Sequence, residues 1–341
     1  MLRLPPTRLE SPATVEAAAE ALAAGARLVA GGTDLWPNMK RRHQKAETVV
    51  NLLGVPGLDA IDASAGDARI GATATLADII RDDAVRQRFP ALARALASIS
   101  SPPLRNMGTI GGNLCVDTRY TYYNQTEEWR RSIDYCLKEE GTICWVATKS
   151  PRCWAHSASD SAPVLCALDA RVKLVSTRGE REIPLAEMYV DDGIDYLSKR
   201  PDEILTEITI PESSDAHHCR STFWKLRRRG SIDFATMSVA AAVWFDADAG
   251  VSRAAMYLGA VGSAPMPVAE AQGIVAGDAL TEERIAEIAK AAHKIAQPMD
   301  NTDFAASWRG KVAEQYAAAA LREIVGLPVE RLAPQHMLRI V

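Results

Sequence analysis

Apolar residues in the first 52 positions recur at helical spacing and then in short unbroken runs, a pattern that predicts β-α-β. Ser11-Pro12 starts a helix whose alanine-rich body covers 14–24, and Gly25 closes it. Residues 27–30 make a short apolar strand that stops at Gly31-Gly32. Thr33 and Asp34 cap a short helix reaching Lys40, and 48–52 is the second strand. Farther on, 70–72 predicts a strand, Thr75 caps a helix over 76–81, and Pro90 opens another through 97. Residues 163–168 predict a helix, while 171–175 and 204–210 alternate as strands. The polar stretch 212–218 is expected as a linker. Three strands (222–226, 237–245, 254–260) and two amphipathic helices (282–296, 308–324) follow. Strands grouped ahead of helices describe an α+β unit.

Composition narrows the class. The chain has 341 residues, 48% hydrophobic and 24% charged, with a formal net charge of −4. That suits two or three domains with a real core, and it excludes a nucleic-acid binder, which needs a concentrated basic face. Lys40-Arg41-Arg42 reads as a solvated helix end. No window approaches the ~18 apolar residues of a membrane span, and residues 1–6 lack the apolar region of an export signal. The expectation is a cytoplasmic protein, where clustered cysteines are ligands or redox groups rather than structural disulfides. The six histidines are scattered, so no acid–base constellation and no catalytic residue is assigned.

Two Gly-Gly turns carry the first candidate chemistry. Gly31-Gly32 and Gly111-Gly112 each follow an apolar strand-like run, with Thr33 and Thr109 beside them. Such turns expose backbone N–H groups and let a phosphate approach the main chain without a β-carbon in the way. Neither opens a helix as G-x-G-x-x-G, and no phosphate-loop lysine motif is present. From the residues alone, the reading stops at a phosphate-bearing ligand.

The second candidate is a loop over 115–155 without regular periodicity, holding Cys115, Cys136, Cys144 and Cys153 and seven of the chain's twenty Phe, Trp and Tyr residues. A structureless loop of this length must be functional or internally braced. The cysteines lack the paired C-x2-C spacing of zinc sites. Metal or cluster ligation, which would brace the loop, buried free thiols and a redox disulfide all remain open. Cys166 and Cys219 fit no ligand pattern and read as structural.

The blocks Ala30-Gly31-Gly32-Thr33-Asp34-Leu35 and Arg105-Asn106-Met107-Gly108-Thr109-Ile110-Gly111-Gly112-Asn113 resemble the FAD-binding subunit of the xanthine oxidase family of molybdenum hydroxylases. The resemblance continues through Ser159-Asp160-Ser161-Ala162-Pro163-Val164-Leu165, Phe223-Trp224-Lys225-Leu226-Arg227 and Ser231-Ile232-Asp233-Phe234-Ala235. It implies a two-subdomain FAD-binding fold of the vanillyl-alcohol-oxidase/PCMH type over 1–52 and 53–211, then a C-terminal α+β domain over 219–330. Val29, Ala30, Gly31, Gly32, Thr33, Asp34 and Leu35, with Thr109, Gly111, Gly112 and Asn113, are then expected to hold the FAD pyrophosphate. Asp160 is expected at the ribityl or adenosine part and Lys225 near the flavin ring. Implied partners are a molybdenum-binding large subunit and a [2Fe–2S] small subunit.

The inserted loop is similar to that of 4-hydroxybenzoyl-CoA reductase β subunits, where it carries a [4Fe–4S] cluster. That branch implies ferredoxin or another low-potential donor and removal of a ring hydroxyl from an aromatic acyl-CoA. Cys115, Cys136, Cys144 and Cys153 are the expected ligands, with Tyr120 standing where the resemblance places the first thiolate. Other expectations are a hydroxylase of the same family (aldehyde, CO or N-heterocycle oxidation) and a non-catalytic metal-binding assembly module.

Overall fold

A computed structural model describes residues 2–246, 250–274 and 279–329. The outermost residues of the expected first and third units, 1 and 330, lie outside the described residues. The α+β class holds, built on three sheets.

The first sheet is parallel, with β1 (Arg8–Glu10), β2 (Arg27–Val29) and β3 (Thr48–Asn51) in the order β1-β3-β2. Parallel neighbours need crossover connections, and the helices Val15–Ala23 and Leu35–Lys40 provide them. Thr14, rather than Ser11, caps the first helix by accepting a bond from the Ala17 amide at 3.2 Å. β1 was not legible: three residues, none of them buried, are too short to show a period. In the central strand Val49 and Val50 are fully enclosed.

The second sheet is antiparallel: β4 (Ile61–Asp62), β5 (Ala68–Gly71), β6 (Arg171–Ser176), β7 (Gly179–Pro184) and β8 (Ile204–Ile210), ordered β4-β5-β8-β6-β7. β7 escaped the hydrophobic pattern because it is a polar edge strand; charged edges of this kind prevent unwanted pairing. The helices Pro90–Ala97 and Ser161–Ala167 bury Leu92, Leu96 and Leu165 in one core with Val172 and Ile208 of this sheet.

The third sheet, β9 (Cys219–Leu226), β10 (Met237–Phe245), β11 (Val251–Gly259) and β12 (Met266–Pro267), is antiparallel in the order β12-β11-β10-β9. Its central strand is apolar at nearly every position because both faces are covered. Val239, Ala241 and Val243 join the core beneath the helices Glu282–Ile295 and Ala306–Val325. Ala240, Ala242 and Trp244, one residue out of step, join the core of the second sheet. This is the period-two side-chain alternation of a strand divided between two cores.

The expected linker 212–218 is accordingly a docked segment. Asp215 is buried and paired with Arg88 at 3.2 Å, and it accepts a bond from the His217 amide at 2.9 Å. Its polarity satisfies a buried cation rather than water.

Candidate functional site

A cavity of about 670 Å³ opens among the end of β2, the helix Ile110–Leu114 and the segments 99–100 and 194–199. Val29, Ala30, Gly31, Gly32, Thr33, Asp34, Leu35, Thr109, Gly111, Gly112 and Asn113 all line it. Residues far apart in the chain therefore form one wall.

Two glycines make that convergence possible. A Cβ on Gly31 would overlap the Met107 carbonyl, so the first turn packs against the segment leading into the second only because this position has no side chain. Gly32 sits at φ +68°, which L side chains rarely adopt.

The turns are not equivalent. The Ile110 and Gly111 amides donate to Ala74 O and Ala72 O at 3.0 and 2.9 Å, and the Gly112 amide to Thr109 Oγ1 at 3.2 Å. Those donors are consumed by the fold. Among the described residues, the amides of Gly31, Gly32, Thr33 and Asp34 donate no hydrogen bond. Unpaired N–H groups facing a cavity favour an anionic ligand. The free donors thus belong to the first turn, while the amides of the second are bonded within the fold.

Asp160 and Lys225 do not line this cavity. Lys225 Nζ donates to Asp160 Oδ2 at 2.6 Å and to the carbonyls of Ser98 and Asp233, each at 3.0 Å. Its three hydrogens are all used. Ser98 precedes the lining residues Ile99 and Ser100, and Asp233 precedes the lining residue Phe234, so the pair sits directly behind the wall. Burial raises the Asp160 carboxyl above its usual range, against the pull of Lys225. Its Oδ1 has no partner.

Pattern reading missed Arg119 and gave Phe234 no role. Arg119 pairs with Asp34, and its guanidinium lies 4.1 Å from the Phe234 ring centroid. It links Asp34 of the first turn to Phe234, in the segment between β9 and β10. Burial raises the Asp34 carboxyl, which Arg119 opposes. Nothing local in the sequence marks an arginine 85 residues away as a partner of Asp34.

The loop 115–155 is ordered, but ligation by its four cysteines is not what orders it. Arg130 is fully buried and pairs with Glu127 at 2.7 Å and with Glu139, while donating to Arg41 O at 2.8 Å. It starts in the helix Glu127–Ser132, capped by Thr126. Cys136 and Cys153 pack with Tyr120 and Tyr123 in a small separate core. The neighbouring Cys153 thiol favours loss of the Cys144 proton, and Cys144 with burial holds the Cys153 proton on. Tyr120 Oη has no well-formed hydrogen bond; the Cys136 thiol beside it and burial hold its proton on.

Cys115 is a correction. It lines the large cavity, packs on the core of the second sheet, and burial raises its thiol. The nest therefore holds three thiols and a phenol. Among the described residues no group of three or more His, Cys, Asp or Glu side chains is arranged to hold a metal ion.

Residues 5–213 match the family described as the FAD binding domain in molybdopterin dehydrogenase, and residues 221–324 match the CO dehydrogenase flavoprotein C-terminal domain. The chain is 30% identical over 258 residues to the nicotinate dehydrogenase FAD-subunit of Eubacterium barkeri, covering 75% of this chain and 73% of that protein. It is 33% identical over 246 residues to the aldehyde oxidoreductase FAD-binding subunit of Escherichia coli, covering 69% and 76%. In fold it is similar to a chain of the carbon monoxide dehydrogenase from Hydrogenophaga pseudoflava. There the TM-score is 0.76 at 24% identity, over 95% of this chain and 99% of the other.

Proposed function

This chain belongs to the FAD-binding medium subunits of the molybdenum hydroxylase family, and from that premise we propose that it is the flavin relay of a heteromeric oxidoreductase. The observation that carries the reading is the free-amide turn Gly31–Asp34 in a cavity lined by eleven of the expected cofactor residues. When bound, FAD supplies one- and two-electron transfer. The protein binds and orients it. The amides of Gly31 to Asp34 would hold the pyrophosphate, and Gly111-Gly112 would give it close approach. Asp160 and Lys225 fix the wall at 98–100 and 233–234 from behind. Phe234 and Arg119 would restrict water at the mouth.

Substrate chemistry would lie on a molybdenum-binding large subunit, with [2Fe–2S] centres on a small subunit between. Electrons would run from substrate through those centres to FAD and on to a soluble acceptor in the cytoplasm. The relatives favour this oxidative direction, since nicotinate and aldehyde are the substrates in their names. Tyr120 favours it too, because the low-potential entry through a four-thiolate cluster lacks a ligand. A second reading, reductive dehydroxylation of an aromatic acyl-CoA fed by ferredoxin, is favoured by the insertion over 115–155.

The purified complex tests both levels. Visible flavin bands and one releasable FAD per chain are expected; a colourless protein ends the relay reading. Reduction of a dye acceptor by nicotinate or an aldehyde supports the oxidative direction. Turnover of 4-hydroxybenzoyl-CoA with a low-potential dye donor instead replaces it with the reductive one.

A further inference from the structure

Asp34 lines the cavity within the turn whose amides are free, an unfavourable place for a negative charge when the expected ligand is a diphosphate. An aspartate just before a helix ordinarily turns its carboxylate onto the amides two or three residues on. Asp34 makes no such bond. The local sequence explains why. Pro37 has no N–H to offer, and the Trp36 amide is already bonded to Gly32 O at 3.2 Å. The turn itself, Gly31 to Asp34, still has free N–H groups. Aspartate side chains readily bond main-chain amides of this kind nearby.

Two outside contacts hold the carboxylate instead. Its Oδ2 accepts from Asn38 Nδ2 at 2.8 Å, and its Oδ1 pairs with Arg119. Among the described residues no other cation forms a salt bridge with Asp34. Arg41 attracts it from the end of the helix Leu35–Lys40, and Asp117 repels it. Asp117 has a cation of its own, Lys138, at 2.8 Å. Arg119 stands at the root of the insertion, where its backbone and that of His156 exchange bonds of 2.9 and 2.8 Å. Its guanidinium lies over Phe234, and its buried Nε has no partner.

We propose that Arg119 is a positioning residue for FAD: it holds the Asp34 carboxylate away from the free amides of its own turn and leaves them open to the diphosphate. The proposal rests on the flavin reading of the cavity. Released, the carboxylate would act against the ligand in two ways. It would bond those amides in the ligand's place, and it would stand as an unbalanced negative charge beside an incoming anion. Like charges brought together in this way reduce affinity. The insertion thus serves the cofactor site through its root, independently of its cysteines.

The test is a double-mutant cycle on the whole complex, stripped of flavin and titrated with FAD. Arg119→Gln should weaken binding roughly thirtyfold, the size of a hydrogen bond between charged groups. In the Asp34→Asn background the same change should weaken it no more than about fivefold, through loss of the contact with Phe234. An arginine that merely braced the loop would lose the same factor in both backgrounds, so the difference is the readout. Equal losses, or no loss with Asp34 in place, overturn the positioning role. Arg119→Lys keeps a cation without the planar fork and carries the comparison should the glutamine variant fail to fold. Its smaller loss must also shrink in the Asp34→Asn background, and equal losses again overturn the role. Wild-type complex that takes up no FAD ends the flavin reading and this proposal together. Wild-type complex that binds FAD, with equal losses in the two backgrounds, ends this proposal alone.

Discussion

The cavity and the cysteine nest make opposite demands on sequence. The cavity presents unbonded main-chain amides at Gly31 to Asp34, donors that any residue supplies provided the backbone takes the right path. Glycine is required there at Gly31 by crowding at Met107, at Gly32 by a positive φ, and at Gly111 by crowding at Ala72. The nest depends on side-chain identity, and Tyr120 packs with Cys136 and Cys153 at the position where the family resemblance expects a thiolate. Backbone sites tolerate drift in the side chains around them. Side-chain sites can lose their function and keep their shape.

Breaking the cavity should have the largest effect. Gly31→Val forces the two turns apart, and near-complete loss of bound FAD is expected, measured as the ratio of flavin to protein absorbance. Retained flavin in a folded variant would show that the close approach of the turns is dispensable.

The nest should break by a different route. Arg130→Met leaves Glu127 and Glu139 without their buried cation, and removing one partner of a buried pair typically costs about 3–5 kcal/mol. Denaturant unfolding should show that loss, and limited proteolysis should cut first within 115–155 with flavin still bound. Simultaneous loss of FAD would mean that loop and cavity are one cooperative unit.

Acid should sharpen the same contrast. Burial lowers both His43 and His156 to about 4 from an ordinary 6.5. Their folded forms are held neutral, so the unfolded chain binds more protons between those values, and stability falls as pH drops from 6.5 toward 4. Both hold the insertion: His43 contacts Gln125 O at 3.1 Å, and the Arg119 and His156 backbones pair at 2.8 and 2.9 Å. Hydrogen exchange in 115–155 should rise over this range before exchange near Gly31. Uniform acceleration would count against separate stabilities.

The smallest change expected is from Phe234→Ala. It removes the ring under Arg119 and should weaken FAD binding by about 1 kcal/mol, a partly exposed cation–π contact, read by titration of apoprotein. No change would remove Phe234 from the cavity mouth as a functional wall.

Local signals placed the cavity well. The stop of the strand before Gly31, the Gly111-Gly112 turn and the helix expected over 163–168, found at Ser161–Ala167, are short-range features, set by backbone sterics and neighbouring hydrogen bonds, and they stand in the amino-acid order itself. The same order shows Tyr120 where a thiolate is expected. It could not show which turn keeps its amides free, because the competing acceptors, Ala72 O and Ala74 O, come from another segment. Nor could it show that Cys115 belongs to the cavity, that 212–218 docks through Asp215 on Arg88, or that Lys225 spends its hydrogens behind the wall. Lys225 and Asp160 stand 65 residues apart, and Arg88 and Asp215 stand 127 apart. Buried charges choose partners by proximity in the packed core, where an unpaired charge is costly, and that proximity exists only once the sheets have assembled.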